Sequence, residues 1–123
     1  MSQAQTQAQT QTKICKRYYY RNCIKTPGFT ETIVILDGKV LRPSSIRRSK
    51  TGAHGEDIYC LSQEEWQRAW VIVFEQSNSG KPYVTTINVP EHIKELIEIA
   101  WLYEGATIKE IVRTVTKLQT TIN

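Results

Sequence analysis

The 123-residue chain lacks the features that mark most membrane, secreted and catalytic proteins. It has no run of about 18 apolar residues, so we expect no transmembrane helix. Its first residues do not have the charged-then-apolar layout of a signal peptide, which makes an intracellular, cytoplasmic protein the expectation. No glycine-rich phosphate loop is present, and the two histidines, His54 and His92, stand in no catalytic arrangement. We therefore predict neither an enzyme nor a bound cofactor.

Cysteine is also scarce, with only Cys15, Cys23 and Cys60 and no CxxC pair. An odd number of cysteines argues against a disulfide framework in a reducing compartment. A zinc site built from the three thiols and His54 is conceivable, but the spacing matches no standard zinc pattern. We therefore expect no metal and interpret the cysteines as buried or idle thiols.

Positive charge is concentrated in the first half of the chain. Residues 13–54 contain ten Lys and Arg against two acids, a net charge of +8. Residues 55–123 contain six Lys and Arg against ten acids, a net charge of −4. Such asymmetry suggests a polyanionic partner for the first half. The alternative is two solvated surfaces that attract each other between subunits.

The chain divides by composition into three parts. Residues 1–12 repeat Gln, Ala and Thr without charge, and we expect them to be disordered because they bury too little apolar surface. Residues 13–80 read as a small basic β-rich region. Within it, Asp37–Gly38 between apolar runs predicts a hairpin, and Ser62 with Glu65 predicts the capping box of a short helix. Residues 83–120 form a separate unit.

Two segments of the basic region have compositions that suit nucleic-acid binding. Residues 13–25 interleave five cations with three tyrosines, as single-strand binders do when rings stack on bases and cations follow phosphates. Tyr18 and Tyr20 share one strand face and are the candidate stacking residues, although an edge strand rich in tyrosine is the structural alternative. The polar stretch 42–55 predicts a loop that grips phosphates. Its candidate contacts are Arg42, Arg47, Arg48 and Lys50.

The last third of the chain shows the most regular pattern. Tyr83 to Val89 alternates as a strand does, and Pro90 then suits the first turn of a helix. Gly105 predicts the end of that helix, and Thr107 with Glu110 predicts the capped start of a second. The apolar positions recur at helical spacing; they are Ile93, Leu96, Ile97 and Ala100, then Ile108, Ile111, Val112, Val115 and Leu118.

The order of strand, proline, helix, Gly-x-Thr and helix from Tyr83 to Leu118 resembles the ribbon-helix-helix family of small repressors such as Arc and MetJ. That resemblance implies a homodimer in which two strands pair into a ribbon that enters the DNA major groove. It implies base contacts from Val84, Thr86 and Asn88, and phosphate contacts from Thr107 and Lys109. The implied dimer core is Ile87, Val89, Ile93, Leu96, Ile97, Ile111, Val112 and Val115.

The fold class predicted from the sequence is thus α+β, a basic β-rich region followed by a ribbon-helix-helix-like unit that dimerises. The leading functional hypothesis is a homodimeric transcriptional regulator that binds double-stranded DNA. An interaction or inhibitor protein encoded by a virus or plasmid is the alternative, with a basic half that binds an acidic or ribonucleoprotein partner. An RNA or single-strand binder is the third. The pattern also leaves open that residues 70–76 and 83–89 form a hairpin within one chain.

Overall fold

A computed structural model of the chain describes residues 12–21, 28–48, 54–77 and 80–122. Its strands are β1 (Lys13–Arg21), β2 (Phe29–Leu36), β3 (Lys39–Val40), β4 (Ser45–Arg48), β5 (His54–Ser62), β6 (Trp70–Gln76) and β7 (Tyr83–Ile87). Its helices are α1 (Gln63–Arg68), α2 (Glu91–Glu98), which continues into a π-helical turn (Ile99–Tyr103), and α3 (Ile108–Ile122). Within these ranges no helix has the length and apolar character needed to cross a membrane. Apart from Thr12, the predicted tail 1–12 lies outside the described residues, as do Cys23 and Lys50.

The strands form two antiparallel sheets that stack with the helices in three layers. The smaller sheet has the order β1-β5-β4 and the larger has the order β3-β2-β6-β7. Because successive strand side chains point to opposite faces, β2 and β6 bury residues on both sides of the larger sheet. One face packs through Val34 and Val71 on Tyr59 of the smaller sheet. The other face packs through Ile72 and Phe74 under the helices.

The short-range signals in the first half formed as predicted. Asp37–Gly38 joins β2 to β3, and both residues have the positive φ, 52° and 77°, that a two-residue hairpin turn requires. Ser62 caps α1: its hydroxyl accepts from the Glu65 backbone N–H, while its own N–H donates 2.8 Å to the Glu65 carboxylate. That backbone hydrogen bond is the main reason the pKa of Glu65 lies below its usual value. The hairpin turn and the helix cap were both predictable because each depends only on residues that are close together in the sequence.

The predicted fold class, a basic β-rich region followed by a ribbon-helix-helix-like unit that dimerises, is wrong. β7 pairs antiparallel with β6 of the same chain, with Val84 opposite Phe74 and Ile87 opposite Val71. The intrachain hairpin left open by the sequence is therefore the arrangement found. The fold is α+β with two antiparallel sheets; α2 and α3 cover one face of the larger sheet, and Trp66 of α1 packs on the other.

The apolar stripes of α2 and α3 are covered by this chain's own larger sheet. Ile93, Ile97, Ile111 and Val115, expected in a dimer core, are buried in one cluster with Phe74. A dimer was predicted because residues 83–118 alone are too few to form a core of their own. In the folded chain, β2 and β6 supply the missing layer. Of the other predicted core residues, Val112 is half-buried and Leu96 is 54% exposed.

The two faces of β7 are the reverse of those expected. Val84, expected to meet DNA bases, is 6% exposed in the core, whereas Ile87, expected in a dimer core, is 43% exposed. Val89 nevertheless packs against the core, as expected. The pairing with β6 sets these faces, and the positive φ of Asn88, 64°, then breaks the alternation before Val89. Val84 and Val89, which strict period two would place on opposite faces, both contact the same core.

Candidate nucleic-acid interface

The outer face of the smaller sheet, the face turned away from the larger sheet, carries cations around one aromatic ring. In an antiparallel sheet, residues directly opposite each other point to the same face. Tyr19 of β1 lies opposite Glu56 of β5, which lies opposite Arg47 of β4. Arg17 lies on the same face two residues before Tyr19. We call Arg17, Tyr19, Arg47 and Glu56, with the Cys15–Cys60 pair beside them, the outer-face cluster.

Tyr19 is the exposed ring of the tyrosine run. Its side chain is 64% exposed, and Arg17 and Arg47 are exposed as well. A strand rise of about 3.4 Å per residue places the Arg17 Cα about 7 Å from the Tyr19 Cα. Two strand spacings place the Arg47 Cα about 10 Å from the Tyr19 Cα. An exposed ring that shares its sheet face with two guanidinium groups can hold a flat base while the neighbouring phosphates contact the cations.

Tyr18 and Tyr20, the predicted stacking residues, are not available on this face. Both point towards the larger sheet, where the Tyr18 ring lies 5.9 Å from Tyr59 and 6.2 Å from Trp66. Burial raises the pKa of Tyr18, and it raises that of Tyr59 to about 12. The Tyr20 ring lies so close to Gly55 that a Cβ on residue 55 would collide with the ring. Tyr19, which was not among the predicted stacking residues, is thus the tyrosine of this strand that faces solvent.

Two of the three cysteines form a disulfide on the outer face. Cys15 and Cys60 lie directly opposite each other on β1 and β5, and their sulfurs are bonded. The expectation of unpaired thiols is therefore wrong for this pair, and neither sulfur is a free zinc ligand. No group of three His, Cys, Asp or Glu suited to a metal occurs among the described residues. The number of residues between two cysteines does not reveal pairing of this kind, because pairing depends on strand register.

The predicted basic loop is in part a strand. Residues 45–48 form β4, which pairs with β5, and the adjacent Ser44 N–H donates 2.7 Å to the Ile58 carbonyl. This pairing sends Arg47 to the outer face and Arg48 to the inner face, where its guanidinium lies 5.5 Å from the Tyr20 ring. Arg42 is exposed ahead of β4. Of the three predicted phosphate contacts of this stretch that the structure describes, Arg47 is therefore the one on the same sheet face as Tyr19.

The remaining predicted contacts of the C-terminal region have other partners in this chain. The Asn88 amide donates to the Trp66 carbonyl at 2.9 Å and to the Ala69 carbonyl at 3.1 Å, so it ties β7 to the end of α1. Thr86 is half-buried. These bonds make Asn88 a structural residue of the fold, since its amide hydrogens are already engaged.

The predicted phosphate site at the start of α3 is occupied by a carboxylate. The Thr107 N–H donates 3.2 Å to Glu110, and the Thr107 hydroxyl accepts 3.1 Å from the Glu110 N–H, which is the capping box that the sequence predicted. The Thr107 hydroxyl also donates to the Glu110 carboxylate at 2.8 Å, and this bond, followed by the one from the Thr107 N–H, lowers the pKa of Glu110 and keeps a negative charge at this helix end. Lys109 is exposed beside it. An anion would have to displace Glu110 to reach the same N–H group.

The two sides of the molecule differ in charge. The helical layer is nearly neutral, because four cations offset its five glutamates; the cations are Lys94, Lys109, Arg113 and Lys117, and the glutamates are Glu91, Glu95, Glu98, Glu104 and Glu110. On the opposite side, Lys13 joins Arg17 and Arg47 on the outer face and forms a 3.1 Å ion pair with Glu65. A polyanion approaching this chain is therefore attracted more strongly to the smaller sheet than to the helices.

Comparisons with protein-family models, with curated proteins and with solved structures each gave no match to this chain.

Proposed function

We propose that this chain binds single-stranded nucleic acid on the outer face of its three-stranded sheet. The observation that carries the proposal is the exposed Tyr19 ring on a solvent-facing sheet face that also carries Arg17 and Arg47. An open antiparallel sheet with an aromatic ring and flanking cations is the arrangement by which single-strand modules stack bases and follow the backbone. The charge contrast between the sheet and the helices supports the same orientation of the ligand.

The chemistry favours single strands over a duplex. Stacking on Tyr19 requires a base face, which a paired duplex hides inside its own stack. Glu56, between Tyr19 and Arg47, repels a phosphate at the centre of the face but accepts hydrogen bonds from base amino groups. The bases would therefore lie over the centre, with the phosphates near the flanking arginines.

The test is the binding of labelled oligonucleotides, measured by fluorescence anisotropy at low salt. Homopolymeric single-stranded DNA, the corresponding RNA and a duplex of equal length are titrated with the wild-type chain. We expect both single strands to bind more tightly than the duplex, and the ratio between them reports whether RNA or DNA is preferred. Equal or tighter binding of the duplex would contradict the proposal.

Tyr19→Ala is the decisive variant. Stacking of one base on an aromatic ring contributes about 1–3 kcal/mol, so we expect about 5- to 150-fold weaker binding. Tyr19→Phe keeps the ring and should restore most of the affinity. The matched control is Tyr103→Ala, which removes an 82% exposed tyrosine from the helical side. Equal losses in the two alanine variants would mean that the outer face is not the binding surface.

A further inference from the structure

A cleft opens between the two sheets, on the inner side of the strands that carry the outer-face cluster. It has a volume of about 520 Å³, and polar side chains of its lining include Tyr20, Glu31, Arg48 and Asp57. Pockets of 300–1,000 Å³ hold small organic ligands. Tyr20 follows Tyr19 on β1 and Arg48 follows Arg47 on β4, so each strand places one residue on the outer face and the next in the cleft.

The cleft offers hydrogen-bond donors and acceptors close together. The Arg48 guanidinium lies over the Tyr20 ring at 5.5 Å, and its charge acts on the Asp57 carboxyl. Burial is nevertheless the larger effect and raises the pKa of Asp57, as it does that of Glu31. Both carboxyls are thus partly desolvated, and a ligand that donates N–H groups would stabilise their ionised forms.

Tyr20 contributes its ring to the cleft rather than its hydroxyl. The hydroxyl is buried and has no hydrogen-bond partner among the described residues, so a ligand in the cleft does not reach it. The polar groups that a ligand would meet include those of Arg48, which is exposed, and Asp57, which is half-buried.

We infer that this cleft binds a guanine base. Guanine carries two adjacent donors, N1–H and the N2 amino group, which one carboxylate such as Asp57 accepts as a pair. On its other edge, O6 and N7 accept a pair of hydrogen bonds from an arginine such as Arg48. Adenine and uracil lack the two adjacent donors. A phosphate would be repelled by the two carboxyls, and a simple cation by Arg48.

The inference rests on the proposed function, because the guanine would belong to the strand bound on the outer face. A strand stacked on Tyr19 reaches the ends of β1 and β4, where the next base can turn into the cleft. The Arg48 guanidinium, which lies over the Tyr20 ring, then presents its N–H groups to that base. The outer face would supply general affinity, and the cleft would supply preference for one base.

The experiment compares a single-stranded homopolymer of thymidine with the same oligonucleotide carrying one central guanine. One bidentate base contact contributes about 1–3 kcal/mol of discrimination, so we expect the guanine oligonucleotide to bind about 5- to 150-fold more tightly. Inosine, which lacks the N2 amino group, should lose part of this preference. Equal affinities for the guanine oligonucleotide and the homopolymer would overturn the inference while leaving the proposed function intact.

Asp57→Asn locates the preference within the molecule. It removes the paired acceptor with little change of shape, so the preference for guanine should fall towards the homopolymer level while homopolymer binding does not weaken. Glu95→Gln, on the exposed side of α2, removes one negative charge elsewhere and should preserve the preference. A preference that survives Asp57→Asn in a variant with wild-type circular dichroism would place guanine outside this cleft.

Guanosine monophosphate gives a readout that does not depend on the outer face. Calorimetric titration into the wild-type chain should show tighter binding than adenosine monophosphate, and Asp57→Asn should remove the difference. If the homopolymer fails to bind but this selectivity appears, the proposed function fails and the guanine site stands. If neither nucleotide binds and the oligonucleotides show no guanine preference, the guanine site fails.

Discussion

The disulfide between Cys15 and Cys60 should contribute a large part of the stability of this fold. It joins residues 45 positions apart in the sequence and ties β1 to β5, although the two strands are distant along the chain. In the chain-entropy model, closing a loop of this length restricts the unfolded state by about 4 kcal/mol. Small domains have total stabilities of about 5–15 kcal/mol, so reduction should remove a considerable fraction.

The assay is urea unfolding followed by tryptophan fluorescence, with and without a thiol reductant. Trp66 and Trp70 are buried on opposite sides of the larger sheet, so their emission reports both layers of the core. With a slope of about 2 kcal/mol per molar urea, a loss of about 4 kcal/mol lowers the unfolding midpoint by about 2 M. The variant with Cys15→Ser and Cys60→Ser should match the reduced wild type and should not respond to reductant.

A midpoint that reductant leaves unchanged, in a chain whose disulfide is shown by mass spectrometry to have been cleaved, would refute this reasoning. It would mean that the other anchors of β1 fix the strand without the covalent bond. Two such anchors are the hydrogen bond that Trp66 donates to the Ile14 carbonyl at 2.9 Å and the Lys13–Glu65 ion pair. The ion pair is largely exposed and should contribute little, so the hydrogen bond would be the next group to test.

Three further substitutions test the fold. Gln119→Leu should lower the free energy of unfolding by about 2 kcal/mol in thermal melts, because it removes the buried amide that accepts from the Gly38 N–H and donates to a β2 carbonyl. Asn88→Ala should lower the free energy of unfolding by about 2 kcal/mol, because it removes two hydrogen bonds and places alanine at a positive φ. Its oligonucleotide affinity should equal that of the wild type. A loss of affinity at full stability would instead indicate that Asn88 binds the ligand. Val84→Asp should prevent folding by burying an unpaired charge, whereas Ile87→Asp should fold normally; the opposite result would mean that the faces of β7 are assigned wrongly.

How far the sequence predicts this structure depends on the range of each interaction. The Asp37–Gly38 turn and the capping boxes at Ser62 and Thr107 were predictable, since each is completed by residues at most three positions away. The sequence could not distinguish pairing of β7 with β6 in one chain from pairing of β7 between two chains. Both arrangements bury the same alternating strand. Only the positions of β2 and β6 beneath the helices decide between them, and these depend on contacts distant in sequence.

The orientation of the tyrosine run shows why the candidate site was only half predicted. Composition identified the strand, but period two allows either Tyr19 or the pair Tyr18 and Tyr20 to face solvent. The pairing of Cys15 with Cys60 resolves the choice, because Cys15 and Tyr19 occupy the same face of β1. With this disulfide on the exposed face of the sheet, Tyr19 faces solvent, and Tyr18 and Tyr20 face the larger sheet.

Salt dependence provides a last test, because it reports phosphate contacts separately from stacking. For single strands, the logarithm of the binding constant falls with the logarithm of salt concentration by about 0.7 for each phosphate neutralised. Arg17 and Arg47 are the outer-face cations beside Tyr19, so Arg17→Ala and Arg47→Ala should each flatten the slope for a homopolymer by about 0.7. Arg113→Ala, on the exposed side of α3, removes the same charge from the helical layer and should leave the slope unchanged. Tyr19→Ala should lower the affinity at every salt concentration while keeping the wild-type slope, since stacking releases no counterions. If the arginine variants kept the wild-type slope and Tyr19→Ala changed it, the assignment of phosphates to the arginines and bases to the ring would be wrong.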